Sequence, residues 1–109
     1  MSIVVPRFKP GWIVITPGAL VALVEAKEDP ETLIYRHIRG DWGDVGPADW
    51  AENEYALRHG ERLISVYHTR HGRELRVMTE PDRIASVVVA LETERPTKGD
   101  PDAEDFRRG

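Results

Sequence analysis

The sequence predicts an α+β fold: about three N-terminal helices packed on a three-stranded antiparallel β-meander, with a short extended N-terminal arm or edge strand. Three observations predict it. Three Xaa-Pro pairs of the helix-starting kind, Thr16-Pro17, Asp29-Pro30 and Gly46-Pro47, each precede a stretch with helical spacing. After Gly60 the apolar period changes from helical to alternating. The three alternating runs that follow are joined by short turns, as antiparallel neighbours are.

The N-terminus holds two short β-favouring runs, Ile3-Val4-Val5 and Trp12-Ile13-Val14-Ile15. Pro6 and Pro10 interrupt any regular ladder, which points to an edge position or an extended arm. The first helix starts with Thr16 as N-cap and Pro17 at N1, where the missing N–H costs nothing. Leu20, Leu23, Val24 and Lys27 fall at helical spacing and form its expected stripe. The second helix, opened by Asp29-Pro30, carries Leu33, Ile34, His37 and Ile38 on one side, and Gly40 is a natural stop. Residues 41–45 form a turn. Gly46-Pro47 opens the third helix, with Asp49 in its first turn where the charge suits the helix dipole. Trp50, Asn53, Glu54 and Leu57 share a face, and Gly60 closes the helix.

The strands are Arg62 to His68, Glu74 to Thr79 and Ile84 to Leu91. Residues 69–72 make a hairpin turn, with Gly72 available for positive φ. Pro81-Asp82 makes the next turn. The run IASVVVAL is the most apolar and is expected at the centre of the sheet. Residues 1–92 are read as one globular unit. From Thr93 the composition turns polar, with two prolines and mixed charge, so 93–109 is expected to be a disordered tail with Phe106 as its one aromatic anchor.

Bulk properties narrow the function. The chain has 109 residues, enough for one domain, which would bury roughly 65% of its unfolded surface. It has no cysteine, so disulfides, thiolate catalysis and Cys-ligated zinc are out. The net charge of −4 offers no basic stripe for nucleic acid, which is disfavoured as a partner. No apolar run approaches the ~20 residues of a membrane span, and the N-terminus lacks signal-peptide features. A cytoplasmic protein is expected. The four histidines are scattered, so no metal and no cofactor are assigned.

Five groups of residues are candidates for chemistry, contact or structural polar bonds. His37 has the pKa range for acid–base work, and Asp41 is placed to turn back and orient it. The structural alternative, which is preferred, has His37 capping helix carbonyls and Asp41 capping the turn. Trp42 and Trp50, with Asp41 and Asp44, either clamp the GDWG corner onto the sheet or present a hot spot to a protein partner. Asn53, if inward, needs a polar partner, for which the Asp41–Trp42 turn is the candidate. Ser65 and Tyr67 place two hydroxyls on one strand face. With His37, Arg62 and Arg83 they compose the minimum set for a small ribonuclease. Glu80, Asp82 and Arg83 are otherwise expected in a polar turn, with Arg83 paired to Glu80 or Asp41. His37, Asp41, Asn53, Glu80, Asp82 and Arg83 together are the expected structural polar network.

The segments ITPGALVAL, RHIRGDWGDV, NEYAL, GERLISVY and TEPDR resemble a plasmid-related family of small bacterial proteins found on mobile elements and in chromosomes. The likeness runs from about Phe8 to Val89, and GDWG and TExDR are its most specific pieces. Some members are labelled type I restriction methylase subunits. This chain has neither a nucleotide-binding motif for S-adenosylmethionine nor an NPPY-like tetrapeptide. It also departs from the family after TExDR, with Ser86-Val87 in place of a Thr-Thr pair and no LLPxEY ending. The resemblance implies an accessory-genome setting rather than a mechanism. The leading expectation is a non-enzymatic protein-interaction module with a counter-defence role, anti-restriction or anti-CRISPR. A protein partner is expected, with self-association as a further option. The alternative is a small ribonuclease toxin of the barnase-like or RelE-like class.

Overall fold

The computed structural model describes residues 5–91. The Ile3-Val4 pair, and the expected tail with Phe106, lie outside the described residues. The elements are β1 (Trp12–Ile15), α1 (Pro17–Ala26), α2 (Pro30–Ile38), α3 (Pro47–His59), β2 (Leu63–His68), β3 (Glu74–Thr79) and β4 (Ala85–Ala90). All three Xaa-Pro signals start helices. Thr16 Oγ1 accepts from Ala19 N, Asp29 accepts from Glu31 N, and Gly46 caps α3 without a side chain.

The sheet is mixed and has four strands in the order β1-β4-β3-β2, which corrects the three-stranded antiparallel expectation. The meander β2-β3-β4 is present and antiparallel. β1 joins it parallel to β4, with Trp12 opposite Ala85 and Ile15 opposite Val88. The physical reason is the connection. Three helices and two strands separate β1 from β4 in the chain, long enough for the crossover that a parallel pair requires. The short turns report only the pairs they join.

The buried positions of β2, β3 and β4 alternate and lie on one face: Leu63, Ser65, Tyr67; Leu75, Val77, Thr79; Ser86, Val88, Ala90. All three helices pack on that face. Ala19, Ala22 and Leu23 of α1 and Leu33 of α2 join Tyr67, Leu75, Val77, Val88 and Ala90 in the main core. Ala56 of α3 joins Trp42 and Leu63 in a second cluster, with Phe8, Val45 and Leu57 against it.

The stripe of α1 differs from expectation. Its buried side is Ala19, Ala22, Leu23 and Ala26, while Leu20 and Val24 face outward. Small residues let the helix backbone approach β4 closely, which larger side chains at these positions would prevent.

Candidate functional site

His37 is the centre of a buried polar chain that spans the sheet. Its Nδ1 lies 2.6 Å from Ser65 Oγ on β2, and its Nε2 lies 2.8 Å from Thr79 Oγ1 on β3. Thr79 Oγ1 is 2.6 Å from Ser86 Oγ on β4, and Ser86 Oγ donates to Pro10 O at 2.8 Å. Ser65, Thr79, Ser86 and His37 are all fully buried.

Donor accounting orients the protons of Ser86, Thr79 and His37 Nε2. A backbone carbonyl only accepts, so the Ser86 hydroxyl is spent on Pro10 O. The Thr79 hydroxyl must then donate to Ser86. Thr79 accepts from Nε2–H of His37, and Nδ1 accepts the Ser65 hydroxyl. The accounting places a proton on Nε2, and burial keeps a second one off Nδ1, which leaves it to accept from Ser65. Burial, then the nearby Arg83 charge, holds the His37 pKa down to about 3, which agrees with a neutral ring.

A hydroxyl donating to an imidazole is half of a nucleophile–base arrangement. Here it is sealed. Phe8 and Trp42 pack edge-on against the His37 ring, with centroids 5.2 and 5.8 Å away. The chain of bonds ties α2, three strands and the N-terminal arm together, and every polar atom in it has a partner.

The expected His37–Asp41 bond does not form, and His37 does not cap helix carbonyls. Asp41 instead accepts from Arg36 Nε at 2.8 Å and from Gly43 N at 3.1 Å, with Arg39 3.9 Å away. The reason is direction. His37 points into the sheet from the buried side of α2, and Asp41 lies past the Gly40 turn on the half-exposed side.

The other proposed ribonuclease residues do not converge on an open cleft. Tyr67 is buried and donates to Asp41 O at 2.6 Å, beneath the Arg36 guanidinium. Burial raises its pKa above the ordinary phenol value. Arg62 is exposed and paired with Glu80 at 3.1 Å. Arg83 adopts positive φ and donates to Glu61 O, Glu80 O and Ala56 O, so it caps the end of α3 and makes neither expected side-chain pair. Asp82 accepts from Ile84 N, as a turn aspartate should.

The GDWG corner closes one edge of the sheet. Val66 N donates to Trp42 O, and Asp44 N donates to Val66 O. Next to them Asn53 Nδ2 donates to Ile64 O at 2.7 Å, and Asn53 Oδ1 accepts from Ile64 N at 3.1 Å. The expected partner of Asn53, the Asp41–Trp42 turn, is replaced by this strand. Ile64, Val66 and His68 are the β2 residues whose backbone faces away from β3, and the corner and one carboxamide satisfy the first two. Gly43 permits this. Its φ is 82°, and a Cβ there would collide with Val66 O.

Within the corner the two tryptophans part. Trp42 is fully buried and donates from Nε1 to Glu54 at 2.9 Å, so it is no part of a contact surface. Trp50 is 38% exposed and absent from both core clusters. Asp44 is at the surface, 2.8 Å from His68.

All three helices pack on the first face of the sheet; on the second, among the described residues, Val45 and α3 residues Asp49 and Glu52 stand beside Ile64 and Val66. The register places Val14, Val87, Met78 and Ile64 in one apolar row across all four strands. Trp12, 78% exposed, lies beside this row on one side, and the Val66–Arg76–Val89 row lies on the other. A groove of about 330 Å³ runs between β1 and α2, lined by Ile13, Ile15, Pro30, Glu31, Ile34 and Tyr35. Among the described residues no group of three His, Asp or Glu has the geometry to hold a metal, and no helix is long and apolar enough to cross a membrane.

No protein family, curated protein or solved structure matches the chain. Sequence reasoning missed Thr79, Ser86, Phe8 and Trp12. For the first two a signal was present, because strict alternation from Leu75 and from Ala90 puts Thr79 and Ser86 on the buried face.

Proposed function

We infer that the protein is a non-enzymatic protein-interaction module that binds through the uncovered face of its sheet. The observation that carries this is the Val14–Val87–Met78–Ile64 row, an apolar belt that is 46% exposed at Val14 and half-buried at the other three, on the face where no helix packs among the described residues. Exposed contiguous apolar surface of this kind marks contact sites. Charged groups rim it: Arg76 pairs with Glu74 at 3.1 Å, and Asp49 and Glu52 stand beside Ile64 and Val66. The contact surface thus moves from the GDWG corner to the sheet. The likeness of GDWG and TExDR to a mobile-element family supports a counter-defence setting, in which the partner is a restriction or CRISPR component.

The ribonuclease alternative rests on the His37–Ser65 pair, and the full burial of both residues argues against it. The test has two arms. A partner held by the wild type should be lost with Met78→Glu and kept with Asp44→Ala. Retention by Met78→Glu would remove the sheet face from consideration. Cleavage of RNA by the purified protein, abolished by His37→Ala, would overturn the non-enzymatic reading.

A further inference from the structure

We propose that β1 pairs with β1 of a second copy of this chain, about a two-fold axis at Val14, joining two four-stranded sheets into one of eight strands. This rests on the sheet being an interaction platform, but it concerns the edge rather than the face.

The two edges of the sheet are treated differently. At β2 the backbone groups of Ile64 and Val66, two of the three outward residues, are all bonded. At β1, Trp12 N donates to Ile84 O and Thr16 N donates to Val88 O. The period of a parallel ladder then turns the N–H and C=O of Ile13 and Ile15 away from β4. Among the described residues these groups have no backbone partner. The strand WIVI also carries no lysine, proline or bulge of the kind that guards an exposed edge.

The free edge is complementary to itself. Ile13 and Ile15 are symmetric about Val14. Antiparallel pairing sets Ile13 opposite Ile15 of the second copy, and Ile15 opposite its Ile13, with four backbone hydrogen bonds. Val14 then faces Val14 of the second copy on the uncovered side. The apolar row Ile64–Met78–Val87–Val14 continues into its own copy without a break, so the proposed binding face doubles. On the helix side, the isoleucines of the second copy enter the groove lined by Ile34 and Tyr35.

Area and charge fit the same occupant. Trp12, Ile13, Val14, Tyr35 and Ile84 are 78, 40, 46, 52 and 60% exposed. If all of it were covered, that is roughly 600 Å² of mostly apolar surface, against about 800 Å² per partner in a stable interface. No charged residue lies in β1, and the groove beside it holds one, Glu31, among apolar walls.

Light scattering and sedimentation of the full chain test this. The wild type should be a dimer, and Val14→Lys and Val14→Glu should each be monomers with unchanged far-UV circular dichroism. Mixing the two variants should restore a dimer, because opposite charges then meet on the axis. Ile13→Pro removes an outward N–H without touching the β4 ladder, and it should weaken the dimer roughly tenfold or more. A monomeric wild type at high micromolar concentration would overturn the proposal. So would a dimer that survives Val14→Lys, or variants that stay monomeric when mixed. A foreign extended peptide taken up at β1 by a monomeric wild type also counts against it. None of these outcomes depends on the Met78→Glu capture test, so the two readings fall separately.

Discussion

The carboxamide of Asn53 occupies the place of a missing strand at Ile64, bonding both its carbonyl at 2.7 Å and its amide at 3.1 Å. Asn53→Ala strips both groups at once in a half-buried setting. The expected loss is about 1–3 kcal/mol, read as a lower urea midpoint at unchanged slope. Asn53→Asp keeps only the acceptor and should leave Ile64 O bare, with a comparable loss. An Asn53→Ala midpoint equal to wild type would show that water replaces the side chain at this edge.

His37 sets a pH dependence. In the unfolded chain its pKa is the ordinary 6.5, and in the fold it is held down to about 3 by burial and then by Arg83. The unfolded chain therefore takes up the proton first. This contribution to stability is complete above pH 6.5 and is lost as pH falls from 6.5 towards 3. The steepest slope from one such group is about 1.4 kcal/mol per pH unit. Urea midpoints taken from about pH 7.5 to about pH 5 should show it. The triple substitution His37→Leu, Ser65→Ala and Thr79→Val should abolish it. A wild-type midpoint that is flat over this range would mean that water reaches the ring.

These two residues also show what a sequence gives up. Asn53 was legible as an inward polar residue that needs a partner, and His37 as a histidine on an apolar helix side. Their partners were not, because Ile64, Ser65, Thr79 and Ser86 come from strands whose pairing no local signal encodes. Helix starts were legible because Thr16, Asp29 and Gly46 each precede proline, and a cap is a local event. The parallel pair of Ile15 with Val88 was hidden because the contact joins opposite ends of the chain. Trp42 and Trp50 are chemically the same; the first is buried because the Gly43–Val66 bridge seats its corner over Leu63, Ala56 and Phe8.

The far end of the polar chain controls the N-terminal arm. Ser86→Ala leaves Pro10 O without its donor and the Thr79 hydroxyl without its acceptor. The expected cost is about 1–3 kcal/mol. The distinguishing readout is hydrogen exchange. The amides of Arg7 and Trp12, bonded to Ile38 O and Ile84 O, should exchange faster in Ser86→Ala. Thr79→Val orphans the His37 Nε2–H instead and should leave these arm amides protected. Equal acceleration in both variants would mean that the arm is not anchored through Ser86.

Glu54 holds the arm and the core at once. Its carboxylate accepts two bonds from Arg7 and one from Trp42 Nε1, all at 2.9 Å. Arg7, then Trp42, hold its pKa down to about 2 from 4.5, so its contribution persists above pH 4.5 and is lost as pH falls towards 2. The partners differ in burial. Arg7 is partly exposed, and its loss in Arg7→Ala should cost at most about 1 kcal/mol. Glu54→Ala also strands the indole N–H of a fully buried tryptophan, which adds about 1–3 kcal/mol. Glu54→Gln keeps an acceptor for Trp42 and should fall between them. In the Glu54→Ala background, Arg7→Ala should cost almost nothing more, since its partner is already gone. Urea denaturation of the four variants decides the matter. Equal losses from Arg7→Ala and Glu54→Ala would mean that the surface pair, not the indole, is what Glu54 serves.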